Sequence, residues 1–291
     1  MKKVKSFIKG LCEHAFFNIP LLALSKLFSL KNFEERILKI RAEQKYFKAS
    51  YYNKTVLRGP FKGLVYPDLK ATGSEMAPKI LGSYESELFQ AIEEICNRQY
   101  DSILDIGCAE GYYAVGLALR FRQTPVFAFD VDDHALKLCT ALAETNHVRD
   151  QVHLKGFCSA ETLRDFSFGA RGLIICDCEG YEAELFNKEN IPNLKNTDLL
   201  IELHDTLTNP ISPMLLPLFK ETHDLEIIKT QKKEPGQYPE LSRFSVTEQK
   251  IILSECRGTL LGEPSMEWAY LVAKEGSLKS QNPEPHTAVA G

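Results

Sequence analysis

From residue 84 onward, short runs rich in β-branched and apolar residues alternate with amphipathic stretches. This alternation is typical of a sheet whose parallel strands are joined by crossover helices. The runs predict seven strands, at Tyr100–Ile106, Pro125–Asp130, Gln151–Phe157, Gly172–Cys178, Thr197–His204, Leu225–Thr230 and Trp268–Ala273. We therefore expect an α/β fold built on a mostly parallel sheet.

The stretches between these runs predict the helices of a doubly wound, Rossmann-like arrangement. We expect helices at Glu110–Phe121, Asp133–Thr145, Tyr181–Lys188, Pro210–Thr222 and Ser245–Arg257. The last of these belongs to an insertion, residues 232–265, that separates the final two strands and opens with a loop rich in proline and glycine. Such an insertion can cover a substrate pocket.

The N-terminal residues follow a different pattern. Lysines precede an apolar stretch, Phe16–Leu30, as they do in a secretion signal. Polar residues such as Asn18 and Lys26 interrupt this stretch, no small-x-small cleavage site follows, and a helical period continues to Ile40. We expect amphipathic helices that pack on the main domain, form a homodimer or lie on a membrane surface; packing is favoured, and membrane association is not expected.

These patterns predict three regions. Residues 1–80 form an N-terminal helical region and linker, and residues 81–276 form the α/β domain. Residues 277–291 form a disordered tail, because this segment is polar and lacks an apolar period.

Composition adds two expectations, on partners and on the cell compartment. The net charge of −4 gives no electrostatic reason to expect nucleic acid as a partner, and the eight scattered cysteines are typical of buried thiols in a reducing compartment, so we expect the cytoplasm.

The most informative segment is Ile103-Leu-Asp-Ile-Gly-Cys-Ala-Glu-Gly-Tyr-Tyr113, a strand that leads through a glycine-containing turn into a helix. Gly107 and Gly111 can adopt backbone conformations closed to other residues, and the helix presents its N-terminal amides. Asp105 ends the strand, where open α/β sheets bind ligands, and Asp130 ends the next strand, where a carboxylate meets ribose hydroxyls. The unit predicts an adenosine-type cofactor.

The spacing of the glycines bears on which cofactor binds. A dinucleotide-binding turn has the form G-x-G-x-x-G, which Gly107-Cys-Ala-Glu-Gly111 does not reproduce. The turn therefore offers no evident binding site for a pyrophosphate. Glu110 adds negative charge beside the turn, which repels a phosphate and suits the cationic sulfonium or amino group of S-adenosylmethionine.

At this point the chain resembles the class I methyltransferases, whose first motif is Asp-x-Gly-x-Gly-x-Gly. Asp105, Gly107 and Gly111 match it, and Ala109 replaces the central glycine. The likeness is closer to the FkbM group, because Val126-Phe-Ala-Phe-Asp130, Asp177-Cys-Glu-Gly-Tyr-Glu182 and Leu200-Ile-Glu-Leu-His204 are similar to its strand motifs. It covers residues 82–205 and implies a methyltransferase domain over 81–276 that moves a methyl group from S-adenosylmethionine to an oxygen of a small molecule or glycan.

Within this reading, the cofactor-binding residues are Asp105, Gly107, Cys108, Glu110, Gly111 and Asp130. Methyl transfer to a hydroxyl needs a base, and His204, at the end of the fifth strand, is the first candidate; orienting the substrate is its alternative role. Asp177 and Glu179 can position the acceptor, assist deprotonation, or bind a metal with His204 and Asp205, and we predict no metal.

Three other functions stay open. An NAD-dependent oxidoreductase shares the strand, turn and terminal acid but needs the tighter glycine pattern. A catalytically silent binding module can keep the same fold, since fold alone does not establish activity. A nucleic-acid methyltransferase is a third, although the basic residues form no dense stripe and Asp177-Cys-Glu-Gly180 stands where an Asn-Pro-Pro-Tyr-like motif would be expected.

Overall fold

The computed structural model describes residues 31–49, 54–205, 210–255 and 266–274. The apolar stretch Phe16–Leu30 and the tail at 277–291 lie outside the described residues. None of the described helices is long and apolar enough to cross a membrane.

The described residues form one seven-stranded sheet in the order β3-β2-β1-β4-β5-β7-β6. The strands β1 to β5 are parallel to one another, and β7 is antiparallel to both β5 and β6. The predicted α/β fold with a mostly parallel sheet of seven strands is therefore confirmed. The strands are β1 Ser102–Ile106, β2 Val126–Phe129, β3 Val152–Lys155, β4 Gly172–Cys176, β5 Thr197–Leu203, β6 His223–Lys229 and β7 Glu267–Ala273.

Ten α-helices accompany the sheet in the described part of the chain. They are α1 Lys31–Ala49, α2 Met76–Leu81, α3 Phe89–Cys96, α4 Tyr112–Arg120, α5 Asp133–Thr145, α6 Ala160–Asp165, α7 Glu182–Leu185, α8 Ile191–Leu194, α9 Ser212–Phe219 and α10 Val246–Leu253. The helix α5 has the predicted bounds, and the Asp132 side chain caps it by accepting a hydrogen bond from the amide of His134 at 2.8 Å.

The predicted helix Tyr181–Lys188 is wrong in its length. Only α7, Glu182–Leu185, lies in the predicted range, and α8 begins beyond it, because asparagine side chains bind the intervening backbone. Asn187 Oδ1 accepts from the amides of Glu189 at 2.9 Å and Asn190 at 3.3 Å, and Asn190 Oδ1 accepts from the Asn187 amide at 3.1 Å. These bonds favour a turn over a continuous helix.

Burial explains the composition of the strands. Every residue of β1, β4 and β5 is buried, as expected for central strands covered on both faces, and these strands are accordingly rich in isoleucine and leucine. The edge strand β6 alternates charged and apolar residues and is largely exposed. The central strands therefore fix the positions of the residues that follow their carboxyl ends.

The chain divides into two compact units. One contains residues 90–229 together with the last strand β7, and therefore the whole sheet. The other combines residues up to 89 with residues 230–265, so the insertion between β6 and β7 groups with the N-terminal region. The predicted bounds at residues 80 and 276 stay a prediction.

A buried lysine holds the second unit together. The Lys39 ammonium on α1 donates hydrogen bonds to three carbonyls at the end of α10, those of Ile251 at 2.9 Å, Ile252 at 2.8 Å and Ser254 at 2.6 Å. The last carbonyls of a helix have no partner within the helix, and a cation there also opposes the helix dipole. The lysine therefore ties the N-terminal region to the insertion.

In the sheet unit, the fully buried Asp198 connects the strands at the edge opposite their carboxyl ends. The Tyr100 hydroxyl donates to it at 2.7 Å, Arg171 Nη2 donates to its two oxygens at 2.8 and 2.9 Å, and the Ala273 amide donates at 3.0 Å. Tyr100 lies two residues before β1, Arg171 directly precedes β4, and Ala273 ends β7. One carboxylate thus joins four strands.

We expect Asp198→Asn to lower the free energy of unfolding by about 2–3 kcal/mol, because it leaves buried donors without an ionic acceptor. Urea denaturation of the purified protein measures this loss. The matched control is Glu93→Gln, which removes the partner of Arg120 at the surface, and its effect should stay within about 0.5 kcal/mol. Equal stability of the two variants would show that the buried network does not stabilise the sheet.

Candidate active site

The candidate residues meet at one edge of the sheet. Because β1, β2, β4 and β5 are parallel, their carboxyl ends lie side by side. The glycine turn follows β1, Asp130 follows β2, Asp177 follows β4 and His204 follows β5. The register places Asp105 of β1 between Ala128 and Ile175 of the neighbouring strands.

The glycine turn has the backbone geometry that its composition predicted. Gly107 has φ +83° and Gly111 has φ +95°, both in the left-handed region that favours glycine. A Cβ on Gly107 would lie 1.7 Å from the carbonyl oxygen of Asp177, so only glycine fits between the ends of β1 and β4. Ala109, which replaces the central glycine of the motif, also has a left-handed φ of +48°.

The Asp130 carboxylate faces the glycine turn and also holds it in place through hydrogen bonds. Its Oδ2 accepts a hydrogen bond from the Ala109 amide at 2.9 Å, and its Oδ1 accepts from the Asp132 amide at 2.8 Å. A carboxylate oxygen can accept more than one hydrogen bond, so each oxygen can still accept from a hydroxyl. The carboxylate therefore orients the turn and keeps the capacity predicted for ribose binding.

Asp105 is a buried acid that lies close to other carboxylates. It is 3% exposed, and its Oδ2 has no hydrogen-bond partner among the described residues. Burial raises the pKa of Asp105 to about 8 against the opposing effect of the Ala114 amide, and the nearby carboxylates of Asp177, Asp130 and Glu110 raise it further. A positive charge beside Asp105 would relieve this repulsion.

The two remaining predicted cofactor residues are buried in the same turn. The Cys108 amide donates to the Phe129 carbonyl at 3.0 Å, and the pKa of its thiol is raised well above the usual value by a hydrogen bond with Cys139 and by burial. Glu110 is 1% exposed. Both residues support the shape and charge of the turn, and their contact with a cofactor stays a prediction.

A buried glutamate holds the candidate base. The Nδ1 atom of His204 lies 2.8 Å from Oε1 of Glu182, the first residue of α7. Glu182 is fully buried, and its Oε1 also accepts from the Cys178 amide at 3.1 Å. Burial raises the pKa of Glu182, but its hydrogen bond to His204 and the charge of that ring outweigh burial, so the net pKa is lowered.

The other ring nitrogen of His204 faces more carboxylates. Its Nε2 lies 3.3 Å from Glu202 Oε2, 3.5 Å from Asp177 Oδ1 and 4.0 Å from Glu179 Oε2. Burial lowers the pKa of His204, but the hydrogen bond and charge of Glu182 and the charges of Asp177 and Glu179 outweigh it, so the net pKa is raised. The structure thus brings together all three residues predicted as catalytic.

Asp177, Glu179 and His204 each offer one atom within 4.8 Å of the others, a spacing that one small cation can span. Asp205 has a different task, since its carboxylate accepts hydrogen bonds from the amide of Ser212 at 2.9 Å and from the Ser212 hydroxyl, at the start of α9. The prediction that the site contains no metal is untested.

Sequence reasoning assigned no role to Glu182, Glu202 or the Ala109 amide. Glu182 belongs to the quoted motif Asp177-Cys-Glu-Gly-Tyr-Glu182, so its spacing from Asp177 was the available signal. Glu202 lies inside a buried strand, where a carboxylate requires a partner, and this was a second signal. Backbone amides carry no signal in the sequence.

The part of the chain that contains the glycine turn is similar to a known protein family. Residues 87–176 match the family model PrmA, ribosomal protein L11 methyltransferase. The match is under a third of the chain and contains β1 to β4 with the glycine turn. The fold is that of the class I methyltransferases.

A curated relative of the chain is the rRNA N(6)-adenosine-methyltransferase metl-5 of Caenorhabditis elegans, 30% identical over 97 residues. The matched stretch covers 32% of this chain and 42% of that protein, so the two share less than half of the relative's length.

Solved structures of methyltransferases are also similar. The precorrin-6y C5,15-methyltransferase of Geobacter metallireducens is 13% identical with a TM-score of 0.42, and the match covers 64% of this chain and 88% of that one. The geranyl diphosphate C-methyltransferase of Streptomyces coelicolor is 11% identical with a TM-score of 0.41, over 79% of this chain and 91% of that one. Scores at this level carry no information about the reaction of this chain.

We expect Gly107→Ala to lower the free energy of unfolding by about 2 kcal/mol or more, because the new Cβ would collide with the Asp177 carbonyl and φ is left-handed. Thermal or urea unfolding measures the change. The matched control is Gly156→Ala in the same unit, where a Cβ meets nothing within 4 Å. If both variants unfold alike, the close approach of β1 and β4 is not a constraint on residue 107.

Proposed function

We propose that this chain is an S-adenosylmethionine-dependent methyltransferase that transfers a methyl group to an oxygen of a small molecule or glycan, as an FkbM-like enzyme. The observation that carries the proposal is the buried Asp105, whose Oδ2 has no partner among the described residues while three further carboxylates act on it. A bound cation would stabilise the ionised form of a carboxylate in this position, and the cofactor carries a sulfonium and an amino group.

The residues of the turn fit this cofactor in two further ways. Asp130 can accept hydrogen bonds from ribose hydroxyls on oxygens that the turn amides already orient. The carboxylates of Glu110, Asp130 and Asp177 act on Asp105 beside the turn, and negative charge there would repel a pyrophosphate. The same charges count against an NAD-dependent oxidoreductase.

When bound, the cofactor supplies an activated methyl group, and the protein has to align the acceptor and remove its proton. In our proposal His204 receives that proton at Nε2, the nitrogen that faces Asp177 and Glu179. Asp177 and Glu179 orient the acceptor by accepting hydrogen bonds from its hydroxyl groups. The His204 ring must be neutral to receive this proton. The carboxylates around the ring raise its pKa and so make it a stronger base than an ordinary histidine.

The charge of the site limits the acceptor. Four carboxylates lie around His204, so an acceptor with phosphates close to the reacting atom would be repelled. The matched family and the curated relative are named for ribosomal components, which makes ribosomal protein and rRNA the acceptors to compare with hydroxylated small molecules and glycans. We propose a neutral, hydroxylated acceptor.

We also propose a cytoplasmic location. Six cysteines among the described residues are free, and four of them, Cys108, Cys139, Cys158 and Cys176, are buried. Buried free cysteines are typical of proteins in a reducing compartment.

Isothermal titration of the full chain tests the cofactor. We expect S-adenosylmethionine and S-adenosylhomocysteine to bind and NAD not to bind. Asp130→Ala should weaken binding at least about tenfold, because it removes the ribose acceptor and releases the Ala109 amide. Asp150→Ala, an exposed acid in the same unit, is the control and should bind normally. Preference for NAD, or no binding of either methyl cofactor, would overturn the proposal.

Radiolabelled methyl transfer to hydroxylated acceptors, L11 and rRNA tests the base. We expect His204→Ala to lower kcat by about 100-fold while cofactor affinity stays unchanged. In the native enzyme kcat/KM should rise with pH through a value above 6.5, because the raised pKa of His204 keeps the ring protonated below it. Full turnover of His204→Ala would remove it as the base, and transfer only to rRNA would contradict the neutral acceptor.

A further inference from the structure

We propose that Glu182 is a positioning residue that holds His204 in the tautomer with its hydrogen on Nδ1, so that the lone pair of Nε2 points to the acceptor side of the site. The inference rests on the proposed function and assigns a role to a residue outside the sequence-predicted site. It concerns which ring nitrogen can receive a proton, a property that depends on geometry.

The position of the Glu182 carboxylate is fixed from two directions. Its Oε1 lies 2.8 Å from His204 Nδ1 and accepts a hydrogen bond from the Cys178 amide at 3.1 Å. Cys178 lies between Asp177 and Glu179, so the loop that presents these two acids also anchors the glutamate. The side chain of Glu182 is fully buried, which leaves water no access to compete for the contact.

This contact determines the direction of the hydrogen bond. An ionised carboxylate has no hydrogen to donate, and the Cys178 amide already donates to the same oxygen. The hydrogen shared with His204 must therefore come from Nδ1. In the neutral ring, a hydrogen on Nδ1 leaves Nε2 as the acceptor.

The carboxylates on the Nε2 side compete for the same hydrogen. Glu202 is the strongest competitor, because it is buried and its Oε2 lies 3.3 Å from Nε2. Asp177 at 3.5 Å is partly exposed, and the Glu179 side chain at 4.0 Å is 84% exposed and screened by solvent. Glu182 has the shortest contact of the four and full burial, so its hydrogen bond decides the tautomer.

Histidine NMR of the full chain tests the inference without any acceptor. In protein labelled with ¹⁵N-histidine, at a pH where the ring is neutral, the His204 signals should show a protonated Nδ1 and a bare Nε2. The His204→Ala spectrum identifies these signals among the seven histidines. Glu182→Gln, whose amide can donate as well as accept, should raise the Nε2-protonated form to about half or more of the population.

Two variants serve as controls. Glu179→Gln makes the same chemical change on the exposed Nε2 side and should leave the tautomer unchanged. Glu182→Asp keeps the carboxylate and should restore much of the native tautomer. Circular dichroism establishes that each variant folds. An unchanged His204 tautomer in folded Glu182→Gln overturns the inference, whether or not a methyl acceptor is known.

Turnover separates this inference from the proposed function. Once an acceptor is in hand, Glu182→Gln should lower kcat about 10- to 100-fold with unchanged affinity for S-adenosylmethionine, and Glu182→Asp should recover part of the loss. If Glu182→Gln changes the tautomer but neither Glu182→Gln nor His204→Ala lowers kcat, the hydrogen-bond assignment is supported. The same result would show that this hydrogen bond has no role in catalysis. Loss of cofactor binding by the native chain would instead overturn the proposed function.

Discussion

The concentration of carboxylates at one edge of the sheet is the constraint on which the site depends. Parallel strands end side by side there, and Asp105, Asp130, Asp177 and Glu182 all belong to or follow these ends. Burial raises the pKa of Asp105 to about 8, and the neighbouring carboxylates of Asp177, Asp130 and Glu110 add to this rise because like charges repel. The site is therefore arranged to receive positive charge, either protons or a cationic ligand.

Backbone amides hold this unfavourable charge in place. The Ala109 and Asp132 amides orient Asp130, and the Cys178 amide orients Glu182. The Ala109 and Cys178 amides belong to loops that contain left-handed non-glycine residues, Ala109 at φ +48° and Glu179 at φ +57°. Such backbone costs roughly 1–3 kcal/mol at each non-glycine position, and it persists where surrounding contacts enforce it. Both loops thus combine left-handed backbone with an amide that orients a carboxylate of the candidate site.

Local pattern was sufficient to predict the sheet, because buried strands and the glycine turn are encoded by neighbouring residues. The strands β1, β4 and β5 are fully buried and rich in isoleucine and leucine, and Gly107 has the left-handed φ that its motif requires. The pairing of Glu182 with His204 was not predictable in this way, because 22 positions separate them and their contact depends on how two loops pack. The break between α7 and α8 depended on asparagine side chains.

The two halves of the site are joined by Asp177. Its charge contributes to the raised pKa of Asp105 on one side and to the raised pKa of His204 on the other. The backbone also links them, because the Asp177 amide donates to the Ile106 carbonyl at 2.9 Å, next to the glycine turn. A positive charge that binds beside Asp105 therefore offsets part of the field that favours protonated His204. Cofactor binding and the proton affinity of the proposed base cannot be independent in this geometry, since one carboxylate serves both.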